Sequence, residues 1–485
     1  MPPTDRRMDN LTKHNPSLAE LGTQPSCFPE LSAQDNTSAG ALDAASQPIP
    51  TYAGAPITDF DVIRDRICLA AQAMAVPSDI AEFIAQPRRT IEMNLAIMMD
   101  DGTRKVFPAW RVQHSSTRAL QGMKGGFKIT PDTSRESVTA LAAGMTIKTA
   151  VAGLPLGGAK GGIRADIHNL SPAENERLIR RYASEIAPDL GRPGHWIDVP
   201  APDMGTDSNA MAIFADTISR LHGGFTPGVV TGKPIALGGI PGRVEATGFG
   251  VAHLTDLISP LANSPVAISG FGNVGSHAAL TAQERGARVV AIFDPYLGGV
   301  LTNPQGIAVR DLAALIETGG RSATVFEDFA TQDVSTVAHN GTFADALHHA
   351  GRVHVFMPCG APQSVDSDVA ALMIEHGVRI VAEGANSPLT PVAARVLGDS
   401  HVVVVPDVLA NAGGVVCSYL EMSKAAGMTL PTRDETLTAV GGVLSDSLAK
   451  IRSVADKLKT SDLRLAADAC AVREISDVHQ ARGVF

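Results

Sequence analysis

What the chain lacks narrows the possibilities first. Its 485 residues hold only five cysteines, Cys27, Cys68, Cys359, Cys417 and Cys470. They are odd in number, scattered and without C-x-x-C spacing, which argues against a disulfide framework or a cysteine zinc site and fits a reducing compartment, the cytoplasm. No apolar run reaches the roughly 18 residues of a membrane span. The best stretch, Val402 to Tyr419, is broken by Pro406, Asp407 and Asn411. The N-terminus has no apolar core of the kind a signal peptide needs, and it carries Asp5, Asp9 and Glu20, which a transit peptide avoids. A basic excess is missing as well. The formal net charge is −10, whereas nucleic acid or an anionic membrane would call for a positive surface. A small anionic substrate stays compatible, because a few local lysines can dominate one cleft.

What is present is a globular composition, 44% apolar and 19% charged, in a chain long enough for two or three domains. Residues 1–56, rich in Pro, Ser, Ala, Asn and Gln, read as a disordered extension. Residues 57–241 read as a mixed α/β domain. A helix begins near Asp59, with Phe60, Val62, Ile63, Ile67 and Leu69 spaced for one buried face. A strand over Ile91 to Met99 turns at Asp101-Gly102 into another over Val106 to Val112. From 242 to 414 short apolar runs (Val266 to Ser269, Arg288 to Phe293, Val353 to Met357, Arg379 to Val381, Val402 to Val405) alternate with helical stretches. That alternation predicts a doubly wound parallel sheet. Residues 415–485 read as C-terminal helices, the last over Leu463 to Val478. The fold class is therefore α/β in two domains.

Gly270-Phe271-Gly272-Asn273-Val274-Gly275 is a G-x-G-x-x-G segment between a predicted strand and a predicted helix. The first glycine permits a tight turn, the second lets backbone amides approach a pyrophosphate, and the third lets helix pack on strand. Asp294, 24 residues beyond Gly270, stands at the end of the next strand, where a carboxylate accepts from a ribose hydroxyl. A glycine-rich turn without ligand is the bland alternative. With strand, helix and acid in place, the reading is a dinucleotide site, NAD preferred because Asp294 repels a 2′-phosphate, NADP still possible.

Three lysines stand beside small residues: Lys124 in Gly122-Met123-Lys124-Gly125-Gly126, Lys148 in Met145-Thr146-Ile147-Lys148, and Lys160 in Gly157-Gly158-Ala159-Lys160-Gly161-Gly162. Each alone would pass for a solvated surface lysine. Their apolar surroundings, Ala140 to Ile147 and Leu154-Pro155-Leu156, suggest a cleft in which the glycines leave room for a substrate. Crowding and burial lower a lysine's pKa, so one of them can act near neutral pH while the others hold carboxylates. Asp203, in the proline-framed loop Pro200-Ala201-Pro202-Asp203, suits a positioned acid/base; on its own it would read as a capping aspartate.

Taken in order, these blocks resemble the glutamate/leucine/phenylalanine/valine dehydrogenase family. The resemblance runs from about residue 60 to the C-terminus. It adds Val230-Thr231-Gly232-Lys233-Pro234, Ala246-Thr247-Gly248, Glu383-Gly384-Ala385-Asn386 and Leu409-Ala410-Asn411-Ala412-Gly413-Gly414-Val415 to the segments above. It implies a substrate and assembly domain, a Rossmann-like cofactor domain, a helical return to the first domain, and an active site in the cleft between them. By resemblance Lys160 is the catalytic lysine, Asp203 the proton-transfer carboxylate and Lys148 the holder of the substrate α-carboxylate. Thr247, Asn386 and Asn411 join Gly270, Gly272, Asn273, Val274, Gly275 and Asp294 around the cofactor. Glutamate enzymes of the family carry a lysine in the first glycine segment, where leucine and phenylalanine enzymes carry an apolar residue. Here it is Lys124, with Ala201, Thr231, Val415 and Ser418 completing a pocket of the glutamate type. Met123 stands where the family usually has proline and Lys128 where it has arginine. The loop Pro295-Tyr296-Leu297-Gly298-Gly299 is one residue longer than usual.

The resemblance thus implies reversible oxidative deamination of L-glutamate to 2-oxoglutarate and ammonia with hydride transfer to NAD(P), in a homo-oligomer, by family a hexamer. Two alternatives stand beside it: a dehydrogenase of another L-amino acid, branched-chain or aromatic, and a catalytically silent dinucleotide-binding regulatory paralogue. Retention of Lys160, Asp203 and the three Rossmann glycines weighs against the second. A metal site at His348, His349 and His354 is disfavoured, since no acidic or cysteine companions stand at ligand spacing. No metal is expected.

Overall fold

The computed structural model describes residues 51–52, 55–56, 58–115, 122–331, 335–338, 341–424 and 431–483. Of the N-terminal extension, residues 1–50 lie outside this set, while Thr51–Tyr52 pairs antiparallel with Ala55–Pro56.

Two sheets organise the molecule. The first is six-stranded. Its middle is Gly157–Arg164, flanked antiparallel by Arg104–Ser115 on one side and parallel by Met123–Lys124 and Phe127–Thr130 on the other. Arg89–Met98 closes one edge as a hairpin with Arg104–Ser115, and Asp198–Val199 closes the other. The helix Arg135–Val151, capped by Ser134, covers one face. Helices Pro172–Leu190 and Ser208–His222 build a core on the other, where Phe127, Tyr182 and Phe214 meet.

Lys160 therefore belongs to a central strand, paired with Val112, and not to a surface loop. Its neighbouring glycines leave no room for a substrate, contrary to the sequence expectation. A Cβ at Gly158 would stand 2.2 Å from the Thr146 amide nitrogen, one at Gly161 2.1 Å from the Tyr182 hydroxyl, and one at Gly125 1.6 Å from the Ala159 carbonyl oxygen. These glycines let strands and helices approach closely enough to hold the lysine rigidly.

The second sheet has seven strands in the order Thr336–Ala338, Gly299–Thr302, Arg288–Asp294, Pro265–Ser269, Val355–Pro358, Ile380–Ala382, Val403–Val405. The last five are parallel, with the first in sequence, Pro265–Ser269, between the second and the third. This is the Rossmann-like arrangement, with its topological switch point beside Gly270. The sheet departs from an all-parallel one at its edge, where Gly299–Thr302 and Thr336–Ala338 run antiparallel. The tight turn after Asp294 reverses the chain before a crossover helix can form.

The C-terminal helices return as expected. Arg433–Leu458 packs on Ala246–Ile258, and Leu463–Ala481 packs on Asp59–Ala73 and Arg135–Val151. One apolar core runs through all of them. Within Asp59–Ala73 the buried side is Ile67, Cys68, Ala70 and Ala71, whereas Val62 and Leu69 are exposed. Those two residues, seven apart, share the opposite helical face, so the spacing had merged two faces into one.

Candidate active site

Three lysines surround the loop Pro200-Ala201-Pro202-Asp203, each placed by a different element. Lys160, on the central strand, forms an ion pair with Asp203, Nζ to Oδ2 2.5 Å. Asp203 is fixed by its own loop: its amide donates to Thr206 Oγ1 (2.7 Å) and its Oδ1 accepts from the Met204 amide (2.9 Å). The Ala201 carbonyl accepts from the Phe127 amide (3.2 Å), which ties that loop to the lysine-bearing sheet.

Lys124 is 1% exposed and donates to the carbonyls of Val199 (3.1 Å) and Pro200 (3.3 Å). Burial pushes its pKa well below the usual lysine range, with Glu421 opposing and Arg243 and Arg111 reinforcing the shift. The Thr231 hydroxyl is buried and has no hydrogen-bond partner in the described structure. The segment around it is anchored by Glu421, which accepts from the Gly232 amide (2.8 Å) and pairs with Lys233 (2.5 Å). Glu421 lies on the helix Gly413–Lys424, which also carries Val415 and the buried Ser418.

Lys148, on the helix Arg135–Val151, reaches across to the other wall, donating to Asn411 Oδ1 (2.6 Å) and Asn386 Oδ1 (3.1 Å). The Asn411 amide in turn donates to the carbonyls of Gly384 and Ala385, both at 3.2 Å. Desolvation brings Lys148 down to about 8, with Lys160 pushing the same way and Asp407 and Asp203 opposing. Thr247 stands at the start of the helix Ala246–Ile258, its Oγ1 2.8 Å from where a Cβ on Gly414 would sit.

The glycine loop has the geometry expected of a phosphate cradle. Gly270 has φ +84°. A Cβ at Gly275 would stand 1.8 Å from the Gly270 carbonyl oxygen, while one at Gly272 meets nothing within 4 Å. The helix Asn273–Glu284 starts without a side-chain cap, so its first amides are left to a ligand. The Asn273 side chain donates to the Val244 carbonyl (2.9 Å), and Val274 packs against the core. Asp294 accepts from the Phe271 amide at 2.8 Å and the Tyr296 amide at 2.9 Å. Beside it opens a cavity of about 670 Å³, lined by Phe293, Pro295, Gly299, Thr342 and Phe343 among others. The open second glycine, the uncapped helix and this cavity fit a dinucleotide.

Several residues at the site escaped the sequence reading. Arg321 donates to Asp294 (3.0 Å) and to the Phe271 carbonyl (2.8 Å). Arg111, fully buried, grips Asp198 (Nε to Oδ2 2.8 Å) and the carbonyls of Gly125 and Gly126 (3.1 Å each), and so fixes the segment after Lys124. Arg464 and Asp407 stand behind Asn386 and Asn411. Arg111 carries a readable signal, an ionisable residue inside the apolar stretch Phe107 to Val112, whereas Arg321, in Gly319-Gly320-Arg321-Ser322, carries none. Among the described residues no His/Cys/Asp/Glu group is placed to hold a metal, and no helix is long and apolar enough to cross a membrane.

Comparison with known proteins adds relatives to this geometry. The family model for Glutamate/Leucine/Phenylalanine/Valine dehydrogenase matches residues 238–483, and that for the Glu/Leu/Phe/Val dehydrogenase dimerisation domain matches residues 87–220. The NAD-specific glutamate dehydrogenase A of Halobacterium salinarum is 36% identical over 438 residues, 89% of this chain and 94% of its own. An NADP-specific glutamate dehydrogenase A1 of the same organism is 36% identical over 432 residues, 87% of this chain and 98% of its own. The solved hetero-hexameric glutamate dehydrogenase of Thermus thermophilus, in its leucine-bound form, superposes with a TM-score of 0.78 at 31% identity, covering 88% of this chain and 97% of that one.

Proposed function

This chain belongs to the glutamate/leucine/phenylalanine/valine dehydrogenase family, and on that premise we propose that it deaminates L-glutamate oxidatively and reversibly, yielding 2-oxoglutarate and ammonia. That it is a nicotinamide-dependent amino-acid dehydrogenase follows from the family; the substrate and the residue roles are our reading. One observation carries the choice of glutamate: a fully buried lysine, Lys124, shares the Pro200 carbonyl with Thr231, whose buried hydroxyl has no hydrogen-bond partner among the described residues. An aliphatic side chain would leave the Thr231 hydroxyl unpaired, at a cost of about 1–3 kcal/mol, and would give Lys124, held only by two carbonyls, no counter-charge. A γ-carboxylate satisfies them and restores the charge that burial takes from Lys124. Ser418 offers a further hydroxyl, and Ala201 and Val415 flank the methylene chain.

In this reading Lys148 holds the α-carboxylate, with Asn411 and Asn386 keeping its ammonium in place. A bound nicotinamide supplies the hydride acceptor at the α-carbon. Lys160 polarises the water that adds to the resulting iminium carbon, and Asp203, 2.5 Å from it, moves protons to and from the nitrogen. Closure of the two walls excludes bulk water and aligns the reacting atoms. The dinucleotide would lie with its pyrophosphate on Gly270 to Gly275 and its adenosine beside Asp294, NAD preferred and NADP admitted through Arg321. We place the protein in the cytoplasm as a homo-oligomer, a hexamer. The solved relative's hetero-hexameric assembly supports six subunits, their identity being our own reading, and the odd number and scattered spacing of the cysteines suit a reducing compartment.

The deciding assay follows reduced-nicotinamide absorbance with a panel of L-amino acids, each offered with NAD and with NADP. Glutamate is expected to give the highest kcat/KM. A higher value for leucine, valine or phenylalanine would overturn the substrate reading and leave the reaction class in place.

A further inference from the structure

Behind Lys148, on the side away from the cleft, lies a chain of buried charges that the mechanism does not use. Arg464, in the first turn of the C-terminal helix Leu463–Ala481, donates to Asp407 Oδ1 (2.8 Å) and pairs closely with Glu383 Oε2. Glu383 is fully buried and accepts from the Asp407 amide (2.7 Å), while its Oε1 has no partner in the described structure. Asp407 Oδ2 accepts from the Ser387 amide (2.9 Å), next to Asn386, and Asp407 lies one helical turn before Asn411. A second arginine, Arg66, is joined to the same helix through a two-pronged pair with Asp468 (2.8 and 2.9 Å). Asp407 thus sits at the root of both asparagines that hold the Lys148 ammonium.

We propose that Asp407, held in place by Arg464 of the C-terminal helix, is a positioning residue for Lys148 that keeps its ammonium charged and aimed at the substrate α-carboxylate. The proposal rests on the reading of Lys148 given above and extends it to residues outside the cleft.

Two carboxylates and one arginine share the buried cluster, and the charge divides unevenly. Burial pushes Glu383 upward against the pull of Arg464, and the adjacent Asp407 adds to the rise. Asp407 is held far below the usual carboxylate range, because Arg464, Arg66 and Lys148 outweigh its desolvation. The groups acting on Lys148 are Asp407 and Asp203, which favour its charge, and Lys160, which opposes it together with desolvation. Asp203 is already committed to Lys160. Asp407 is therefore the charge that offsets desolvation at Lys148. It is secured by a helix more than 50 residues further along the chain, so the C-terminal return completes the site electrostatically as well as by packing.

The sign follows directly. A lysine whose pKa is depressed loses its ammonium as pH rises through that value, and removing a nearby anion depresses it further. The full-length protein is labelled with a small amine-reactive reagent over a pH series, and the Lys148 peptide is quantified by mass spectrometry. The wild-type labelling midpoint is expected near pH 8, in line with the depressed lysine. In Asp407→Asn it should move acidward by about one pH unit or more. With the amino acid the wild type uses best, KM at neutral to mildly alkaline pH should rise about tenfold while kcat changes about threefold at most. NADH binding, followed by fluorescence, should stay within about twofold. Arg464→Lys keeps the cation and should leave the midpoint in place. Asp407→Ser removes the same charge with a smaller side chain and should shift it to the same side, which also covers the case in which Asp407→Asn fails to fold. An unmoved midpoint in folded Asp407→Asn, or in Asp407→Ser if the former does not fold, overturns the proposal. A shifted midpoint in a protein that turns over no amino acid supports it and overturns the functional reading instead.

Discussion

The two walls of the cleft bind charge by opposite means. On the substrate wall the charge sits on side chains: Lys124, Lys148 and Lys160 come from a short inner strand, a helix and a central strand, and each is tied by carbonyls, amides or a carboxylate. On the cofactor wall it comes from backbone amides at a glycine turn and an uncapped helix, with one arginine–aspartate pair beside them. A side chain can be replaced without moving the chain that carries it, whereas a backbone cradle is disturbed by a single methyl group. Chemistry and substrate choice should therefore respond to mutation on the first wall, and cofactor binding and folding on the second.

The sharpest break of that comparison is at Lys160. Lys160→Ala removes one side chain from a strand whose backbone is held on both sides. Its kcat is expected to fall by about 10³-fold or more, in the range of lost acid/base assistance, with NADH affinity within about twofold. A kcat within about tenfold of wild type would sink the role of the Lys160–Asp203 pair.

On the cofactor wall the neighbouring glycines divide the effect. Gly275→Ala drives a Cβ to 1.8 Å from a backbone oxygen, so the turn must open, at roughly 1–3 kcal/mol of stability, and NADH binding should be lost with it. Gly272→Ala meets nothing in the free protein and should leave the melting temperature unchanged while still weakening NADH, because the methyl stands where the backbone must meet phosphate. Calorimetry of both variants beside NADH titration checks this. Equal melting temperatures in the two would show that the cradle is not backbone-limited.

The same contrast explains what was legible in the sequence. The parallel strands and the glycine turn could be read because each depends on local pattern: Val266 to Ser269 ahead of Gly270, then a helix, then Asp294. The return of the last helix to the first domain came from resemblance, because no local pattern specifies which distant surface a helix packs on. The glycines around Lys160 were misread, because whether a missing Cβ makes room for a ligand or for a neighbouring chain depends on what packs there, here Thr146, Tyr182 and Ala159. The antiparallel edge at Gly299–Thr302 was missed, since only Val300 and Leu301 in it are large apolar residues, too short a run to read as a strand, and pairing direction is set by the preceding turn. Arg321 and Arg464 were invisible for a plainer reason: their partners lie 27 and 57 residues away, with Glu383 81 residues from Arg464.

A smaller effect is expected at Lys124, where the substrate wall sets preference. Lys124→Leu replaces a buried amine by an apolar side chain of similar volume, and Arg111 still grips the carbonyls of Gly125 and Gly126. The ratio of kcat/KM for glutamate over leucine should fall by about 10²-fold or more, since the γ-carboxylate loses its ionic partner. If glutamate kept its advantage in a folded variant, the γ-carboxylate would have to be held elsewhere, with Arg243 a candidate as a cation that already acts on Lys124.

The smallest expected effect tests a place where the cofactor wall uses charged side chains. Arg321 is tied to Asp294 and to the Phe271 carbonyl, yet its side chain is 41% exposed, so it remains within reach of a group at the ribose 2′ position. A lone aspartate there would repel a 2′-phosphate; the paired arginine offsets that repulsion and offers further donors to the phosphate oxygens. Arg321→Gln should weaken NADPH by about tenfold, or about 1.4 kcal/mol, and NADH by less than about twofold. Exposure keeps the number this low, because solvent and salt screen the pair. Direct fluorescence titration with each reduced cofactor separates binding from turnover. Raising the ionic strength should narrow the wild-type difference between the two cofactors and leave the variant's nearly unchanged. Equal weakening of both would make Arg321 a brace for the Phe271 turn, and discrimination would then fall to Asp294 alone.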